Sequence, residues 1–223
     1  LLLGTLGMMS TTLEFQCSLK KLLLITALFV VYVTLSTYAL LRLFSYLFFA
    51  RIFLLSISVP ALIITHKLSK GPLTKTLFVH ATQILASLYL LFTLTLLWPL
   101  LSLSTMEYLV LNVLCYALVI LLECRFIRQR FLTFSHTITK GWGILSLVPC
   151  ALIILSVTLS LYPQHYTSSP STVVLVYMLG AVTIIFYFSI FQYLRLQYSF
   201  NVQTHNQEIL ALQVQQLKEN ITQ

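Results

Sequence analysis

From residue 22 to residue 195 the chain is a succession of apolar stretches at 22–41, 44–65, 77–100, 107–124, 143–162 and 172–195, separated by short polar connectors. A helix that crosses the hydrocarbon of a bilayer needs about 20 predominantly apolar residues, and each stretch meets or approaches that length. Backbone placed in hydrocarbon must satisfy its own hydrogen bonds, and helices do so within one segment. A further apolar segment, 1–16, reads as the end of another span. The expected fold class is all-α: a polytopic membrane helix bundle of six full spans plus a truncated N-terminal span, with a C-terminal cytoplasmic coiled-coil helix. The expected division is a multi-span transmembrane domain over 1–195 and the start of a cytoplasmic dimerisation coiled coil over 196–223. The chain opens at Leu1 inside an apolar run and stops at Gln223 inside a heptad pattern, as expected of a piece of a longer protein. Leu1 to Met9 has neither the basic leader nor the small-residue cleavage site of a signal peptide.

Composition agrees with the spans. Hydrophobic residues make up 59% of the chain and charged residues only 8%, against about a quarter in soluble domains. The acidic residues are five glutamates with no aspartate, which excludes chemistry that needs an aspartate: receiver-type phosphoacceptors, Walker-B metal sites and aspartyl catalysis. The net charge of +8 does not mark a nucleic-acid binder, because no basic run exceeds Lys20-Lys21 and the other positive charges lie between apolar stretches. They act as topology signals. Connectors 66–76 and 125–142 are basic, whereas 101–106 and 163–171 carry no lysine or arginine. With the basic connectors inside, 11 of the 13 basic residues fall on the cytoplasmic side, leaving only Arg42 and Arg51 outside. The segment 1–16 then runs inward, and the tail after Arg195 is cytoplasmic. Trp98, Tyr162 and Tyr166 fall at outer helix ends and Trp142, Tyr193 and Tyr198 at inner ends, where amphipathic rings prefer the headgroup layer.

Arg51 interrupts the second stretch. A span starting only at Ile52 would be about 21 Å long, too short to cross, so the span includes the arginine. Arg51 either snorkels to the outer boundary or pairs with Glu107, the acidic residue at an outer helix end. Connectors 101–106 and 163–171 are too short to form an extracellular ligand domain, so a signal would enter between helices. Trp98, Glu107, Tyr162 and His165 line that outer rim as candidate contacts; interface anchoring is the plainer role for Trp98 and Tyr162.

After Ser171 the chain has no proline, and its glycine is Gly180, so the last span can run into the cytoplasm as one helix of roughly 75 Å. In the tail, Leu210, Val214, Leu217 and Ile221 follow the 4-3-4 spacing of a coiled-coil seam. The β-branched residues fall at a and the leucines at d, a choice that favours a parallel two-stranded coil. Extending the seam backward brings in Gln203 and Gln207, so the first part of the tail pairs weakly.

The search for chemistry is largely negative. His66, His80, His136, His165 and His205 show no metal-ligand spacing, and Cys17, Cys115, Cys124 and Cys150 form no C-x-x-C pair. His80 reads as a histidine hydrogen-bonded within the bundle. Gly141-Trp142-Gly143 opens a span and is no phosphate loop. The basic connector 125–142 alternates charge with aromatics, which beside a bilayer fits anionic lipid heads better than nucleic acid.

Several stretches resemble the membrane part of bacterial GHKL-type sensor histidine kinases. Lys140-Gly141-Trp142-Gly143, leading through Leu145, Pro149 and Leu161 to Tyr162-Pro163, is similar to that family's second-to-last span. Ser58-Val59-Pro60-Ala61-Leu62 with Leu68-Ser69-Lys70 fits its third, and 207–221 resembles the helix joining membrane and catalytic parts. The resemblance implies a sensor and transmission region in the bacterial plasma membrane that relays a membrane or extracellular signal, such as a hydrophobic peptide, to a downstream autokinase. It implies a homodimer, a response regulator as partner, and ATP and magnesium used only by a kinase domain outside these residues. The histidine box and nucleotide-binding motifs are not in this chain, so no catalytic residue, cofactor or metal ligand is assigned, and His205 lacks the box. The alternative is a membrane transporter or scaffold subunit with a dimerising tail, for which Arg51, His80 and the prolines Pro60, Pro99 and Pro149 are the motivating residues. An intramembrane enzyme is disfavoured by the missing catalytic constellations.

Overall fold

The structure, a computed structural model, describes residues 2–44, 46–137, 141–161 and 166–222. It is all-helical in its regular elements: α1 (Leu2–Thr12), α2 (Leu19–Leu43), α3 (Tyr46–Leu68), α4 (Leu73–Leu100), α5 (Thr105–Leu122), a π-turn (Glu123–Ile127), α6 (Arg128–Thr137), α7 (Trp142–Leu161), a 3-10 turn (Tyr166–Ser168) and α8 (Pro170–Thr222). Among the described residues five helices are long and apolar enough to cross a membrane, and Ser56–Leu68 within α3 is a shorter apolar helix. The helices fall where the apolar stretches lie. The expected loop at 125–142 does not: the chain stays helical to Thr137, because no glycine or proline interrupts it between Thr105 and that point.

The chain divides into two compact units, Leu1–Arg128 with Trp142–Thr158, and Gln129–Gly141 with Leu159–Gln223. In the first, α4 is the hub, touching α1, α3 and α5. The N-terminal segment is no peripheral stub: Met8 and Met9 of α1 are almost wholly enclosed, and the helix packs on both α4 and α5. Its approach to α5 rests on two glycines one turn apart. A Cβ on Gly4 would collide with the Tyr116 ring, and one on Gly7 would come within 2.7 Å of Ile120 Cδ1. Small residues let helix backbones approach closely where lipid is as apolar as the packed surface and dispersion contacts carry association. Beyond α1 the chain is extended: Phe15 bridges Ser69, Gln16 N–H donates to Leu68 O at 2.8 Å, and Lys70 N–H donates to Glu14 O at 2.8 Å. These bonds lace the exit of α1 to the α3–α4 connector.

Opposite this lacing, the α4–α5 turn is closed by two local motifs. Ser102 takes the left-handed conformation, φ 51°, while Ser102 N–H donates to Pro99 O and Leu103 N–H to Trp98 O, both at 3.2 Å. That is a Schellman closure with serine where glycine is usual. Ser104 then caps α5: its Oγ accepts from Glu107 N–H at 3.3 Å, and Glu107 Oε2 accepts from Ser104 N–H at 2.7 Å, a reciprocal capping box. On another side of the unit, Phe29, Ile57 and Ala61 join α2 to α3, Phe78 meets Trp142 with ring centroids 5.6 Å apart, and Tyr89 Oη lies 3.1 Å from Ser156 Oγ of α7.

The second unit contains α6, the end of α7, the 3-10 turn and α8. The 3-10 turn packs on α8, with Tyr166 and Val176 buried to 1% or less exposure. α8 is a single helix of 53 residues, about 80 Å at 1.5 Å per residue. It begins at Pro170, whose missing N–H is no loss at a first helical position.

Replacing Gly4 with alanine is expected to destabilise the first unit by about 1–3 kcal/mol, because the ring it meets cannot move aside without disturbing the α1–α5 contact. Gly7→Ala costs less, since Ile120 Cδ1 is the tip of a rotatable side chain. Gly143→Ala, whose Cβ would sit 3.8 Å from Thr74 Cγ2, leaves stability unchanged. Denaturant titration in mild detergent, followed by circular dichroism, checks this order.

Candidate functional site

Polar side chains in the first unit concentrate on its inside. On α4, Thr76, His80, Gln83 and Ser87 repeat at 4-3-4 spacing, and each is 3% exposed or less. That spacing marks one helix face, so the face α4 turns to its neighbours is polar while much of the rest is apolar. Neighbouring elements answer it level by level. Thr5 Oγ1 of α1 lies 2.8 Å from Ser87 Oγ, and the buried Tyr116 side chain, whose ring lies against Gly4, interacts with the same serine. One level on, Thr11 Oγ1 lies 2.8 Å from Glu123 Oε2, and the Gln83 side chain interacts with the same carboxyl. At the start of α4, Lys75 is only 7% exposed and lies in the field of Glu14. Ser69 Oγ, 3.1 Å from Thr76 Oγ1, closes this end.

A second junction forms around Pro60 in α3. Proline lacks an N–H, which leaves the carbonyl of Ser56 without its helical donor. The Tyr32 hydroxyl of α2 donates to that carbonyl at 3.3 Å. Half a turn on, His80 Nε2 lies 3.0 Å from Ser58 O. Since a carbonyl only accepts, Nε2 carries the hydrogen and Nδ1 is left as a buried acceptor without a partner. The expectation that His80 is held within the bundle is met by this bond. Among the described residues no three histidine, cysteine or acidic side chains gather as a metal-ligating group.

Glu123 sits at the first residue of the π-turn and is 8% exposed. A π-turn carries one residue more than an α-turn, re-aims the side chains after it, and recurs at functional positions. Between α1 and α5 the contacts form a ladder, Gly4 on Tyr116, Gly7 on Ile120 and Thr11 on Glu123, each step one helical turn from the last. An apolar cleft of about 310 Å³ opens between α1, α2 and α3, with Met9, Phe29, Ala61, Ile64 and Leu68 in its wall.

The residues nominated from the sequence are distributed differently. Glu107 uses its carboxylate in the Ser104 capping box. Trp98 stacks on Tyr108 with centroids 4.6 Å apart, and its Nε1–H donates to Leu103 O at 2.8 Å, so it fastens the α4–α5 turn. Arg51 lies in α3, but its side chain, like that of Ile221, is outside the described residues, as are Tyr162 and His165 altogether. Leu210, Val214 and Leu217 are 59%, 50% and 60% exposed on α8. Glu123, Gln83 and Thr11 were not nominated. The 4-3-4 run of polar residues on α4, the same spacing that marks the tail seam but read for polar side chains, finds Gln83; Thr11 and Glu123 lie on other elements and meet only through packing. The capping box was also legible as Ser104-x-x-Glu107 before an apolar run.

Comparison of the chain with family models, with curated proteins and with solved structures returns no match.

Thr5→Val and Ser87→Ala are expected to be coupled by about 0.6–1.7 kcal/mol, the range for hydrogen bonds between membrane helices. A double-mutant cycle on unfolding in detergent measures it; additive single effects contradict the docking of α1 on α4.

Proposed function

We propose that the chain is the membrane input and transmission region of a sensor histidine kinase, with six spans, a partial N-terminal span and a cytoplasmic C-terminus. The observation that carries this reading is α8: one uninterrupted helix of 53 residues whose first half is apolar and whose last part is more polar and carries apolar residues at 4-3-4 spacing. Leu210, Val214 and Leu217 are half or more exposed in the single chain, as expected of a face that a second copy covers. In the working homodimer a signal shifts the packing of the membrane helices, and α8 carries the change as a population shift between two seam packings. The cleft between α1, α2 and α3 offers a hydrophobic peptide or a lipid-like signal an entry from the bilayer. ATP, magnesium and the response regulator belong to a kinase domain beyond these residues.

A second reading, a transport subunit, is favoured by the buried Glu123 and His80, since ionisable groups inside spanning helices mark ion and proton paths. Uptake by vesicles that contain the protein, lost on Glu123→Gln, is the outcome this reading requires.

The first reading is tested on the tail. In a chain otherwise without cysteine, Leu210→Cys is expected to give disulfide-linked dimers in membranes, and adding Leu217→Lys should reduce their yield about tenfold or more, corresponding to at least about 1.4 kcal/mol of seam pairing. An unchanged yield sinks the dimer seam. Sequencing the coding DNA beyond Gln223 tests the kinase assignment: a histidine box and an ATP-binding domain are expected, and a nearby stop codon contradicts it.

A further inference from the structure

Counting hydrogens at the α1–α4–α5 junction gives a result that does not depend on either functional reading. Thr11 Oγ1 has one hydrogen, yet it lies 2.7 Å from Met8 O and 2.8 Å from Glu123 Oε2. Both partners would be acceptors if the glutamate were ionised: a carbonyl only accepts, and so does a carboxylate. One hydroxyl hydrogen cannot serve two acceptors at these distances. The arrangement closes if the carboxyl supplies a hydrogen, with Glu123 O–H donating to Thr11 Oγ1 and Thr11 O–H donating to Met8 O. Both contacts then become ordinary O–H···O bonds of the observed length.

Among the described residues no cation is set against the carboxyl to take the place of that hydrogen. α1 carries no titratable side chain. Beyond its end, Glu14 lies with Lys75. α4 brings Gln83 to the carboxyl, while His80 is directed to Ser58 O and Lys75 stands eight residues, about 12 Å along the helix, from Gln83. α5 brings Tyr116, seven residues before Glu123, and Tyr108 and Glu107 farther along. Cys124 and Arg125 of the π-turn are exposed. The side chains that interact with the carboxyl are Thr11 and Gln83. Gln83 is 3% exposed; its side chain hydrogen-bonds the carboxyl, and its Oε1 is buried without a partner.

We propose that Glu123 is a proton-binding site, holding one proton shared with Thr11 at the junction of α1, α4 and the π-turn. The bound proton completes the chain from the carboxyl through Thr11 to Met8 O and so fastens α1 to the π-turn. Its loss leaves a buried carboxylate facing a hydroxyl already committed to a carbonyl, and the α1–α5 ladder loses its last rung.

The test is infrared spectroscopy of the full chain reconstituted near neutral pH in vesicles of ether-linked phosphatidylcholine, which has no ester carbonyl to absorb beside a protonated carboxyl. Carboxylates exposed to water are ionised there and do not absorb in the region of protonated carboxyl groups. A protonated-carboxyl C=O band is expected in the native protein and should be absent from Glu123→Gln. Thr11→Val should move the band to higher frequency by removing its hydrogen-bond partner, and Thr11→Ser should leave it in place. The proposal is overturned if Glu123→Gln removes no such band, or if Thr11→Val leaves the band where it was. Should Glu123→Gln fail to fold, the Thr11 pair decides by itself, because these substitutions leave every carboxyl in the protein.

Discussion

A polar group enclosed among apolar helices is stabilised by partners in the protein, because burial costs it its hydrogen bonds to water. In the first unit this constraint falls on α4, whose buried face carries a threonine, a histidine, a glutamine and a serine at helical spacing. Left without partners, each would cost on the order of 1–3 kcal/mol. The short helix α1 provides much of the answer, with Thr5 against Ser87 and Thr11 against the carboxyl that Gln83 also reaches. A segment of 11 residues thus acquires a fixed place between two much longer helices. Its glycines are part of the same solution, since only a side chain as small as hydrogen lets α1 lie close against Tyr116 and Ile120 of α5, the approach that brings Thr11 to the π-turn.

The same constraint explains the irregularities. Pro60 opens the hydrogen-bond ladder of α3, and Tyr32 takes up the freed carbonyl from α2 while His80 binds one close by. The π-turn at Glu123 is the other departure from regular helix, and it coincides with the buried carboxyl. A widened turn is a local cost that a well-partnered buried group can offset. Where backbone reaches the ends of helices, local sequence settles the matter: the Schellman closure at Ser102 and the capping box from Ser104 to Glu107 satisfy the turn between α4 and α5 without distant residues.

How much of this was legible beforehand differs by level. The positions of the helices follow from apolar stretches, because length and hydropathy act along the chain. The continuity of α8 follows from the lack of helix breakers after Gly180, and the helical course of 125–137 could have been inferred in the same way. Glu107 and Trp98 were weighed as contacts for a charge or a signal, whereas both serve the turn beside them. Local motifs compete successfully with distant partners because little chain entropy is lost in closing them.

What the sequence by itself determined is where the long apolar helices lie, the charge asymmetry of the connectors and the spaced apolar residues of the tail, all properties of short windows of chain. Tertiary structure decided which polar residues meet. Thr11 and Glu123 are separated by 112 positions, and Thr5 and Ser87 by 82, so no window contains either pair. Helical spacing can show that α4 has a polar face; only packing shows that α1 lies against it, because the choice among neighbouring helices depends on shape, and here on two glycines that admit one ring and one isoleucine. The hydrogen count at Glu123 belongs to the same level, since it depends on a hydroxyl from one end of the unit lying between a carbonyl and a carboxyl.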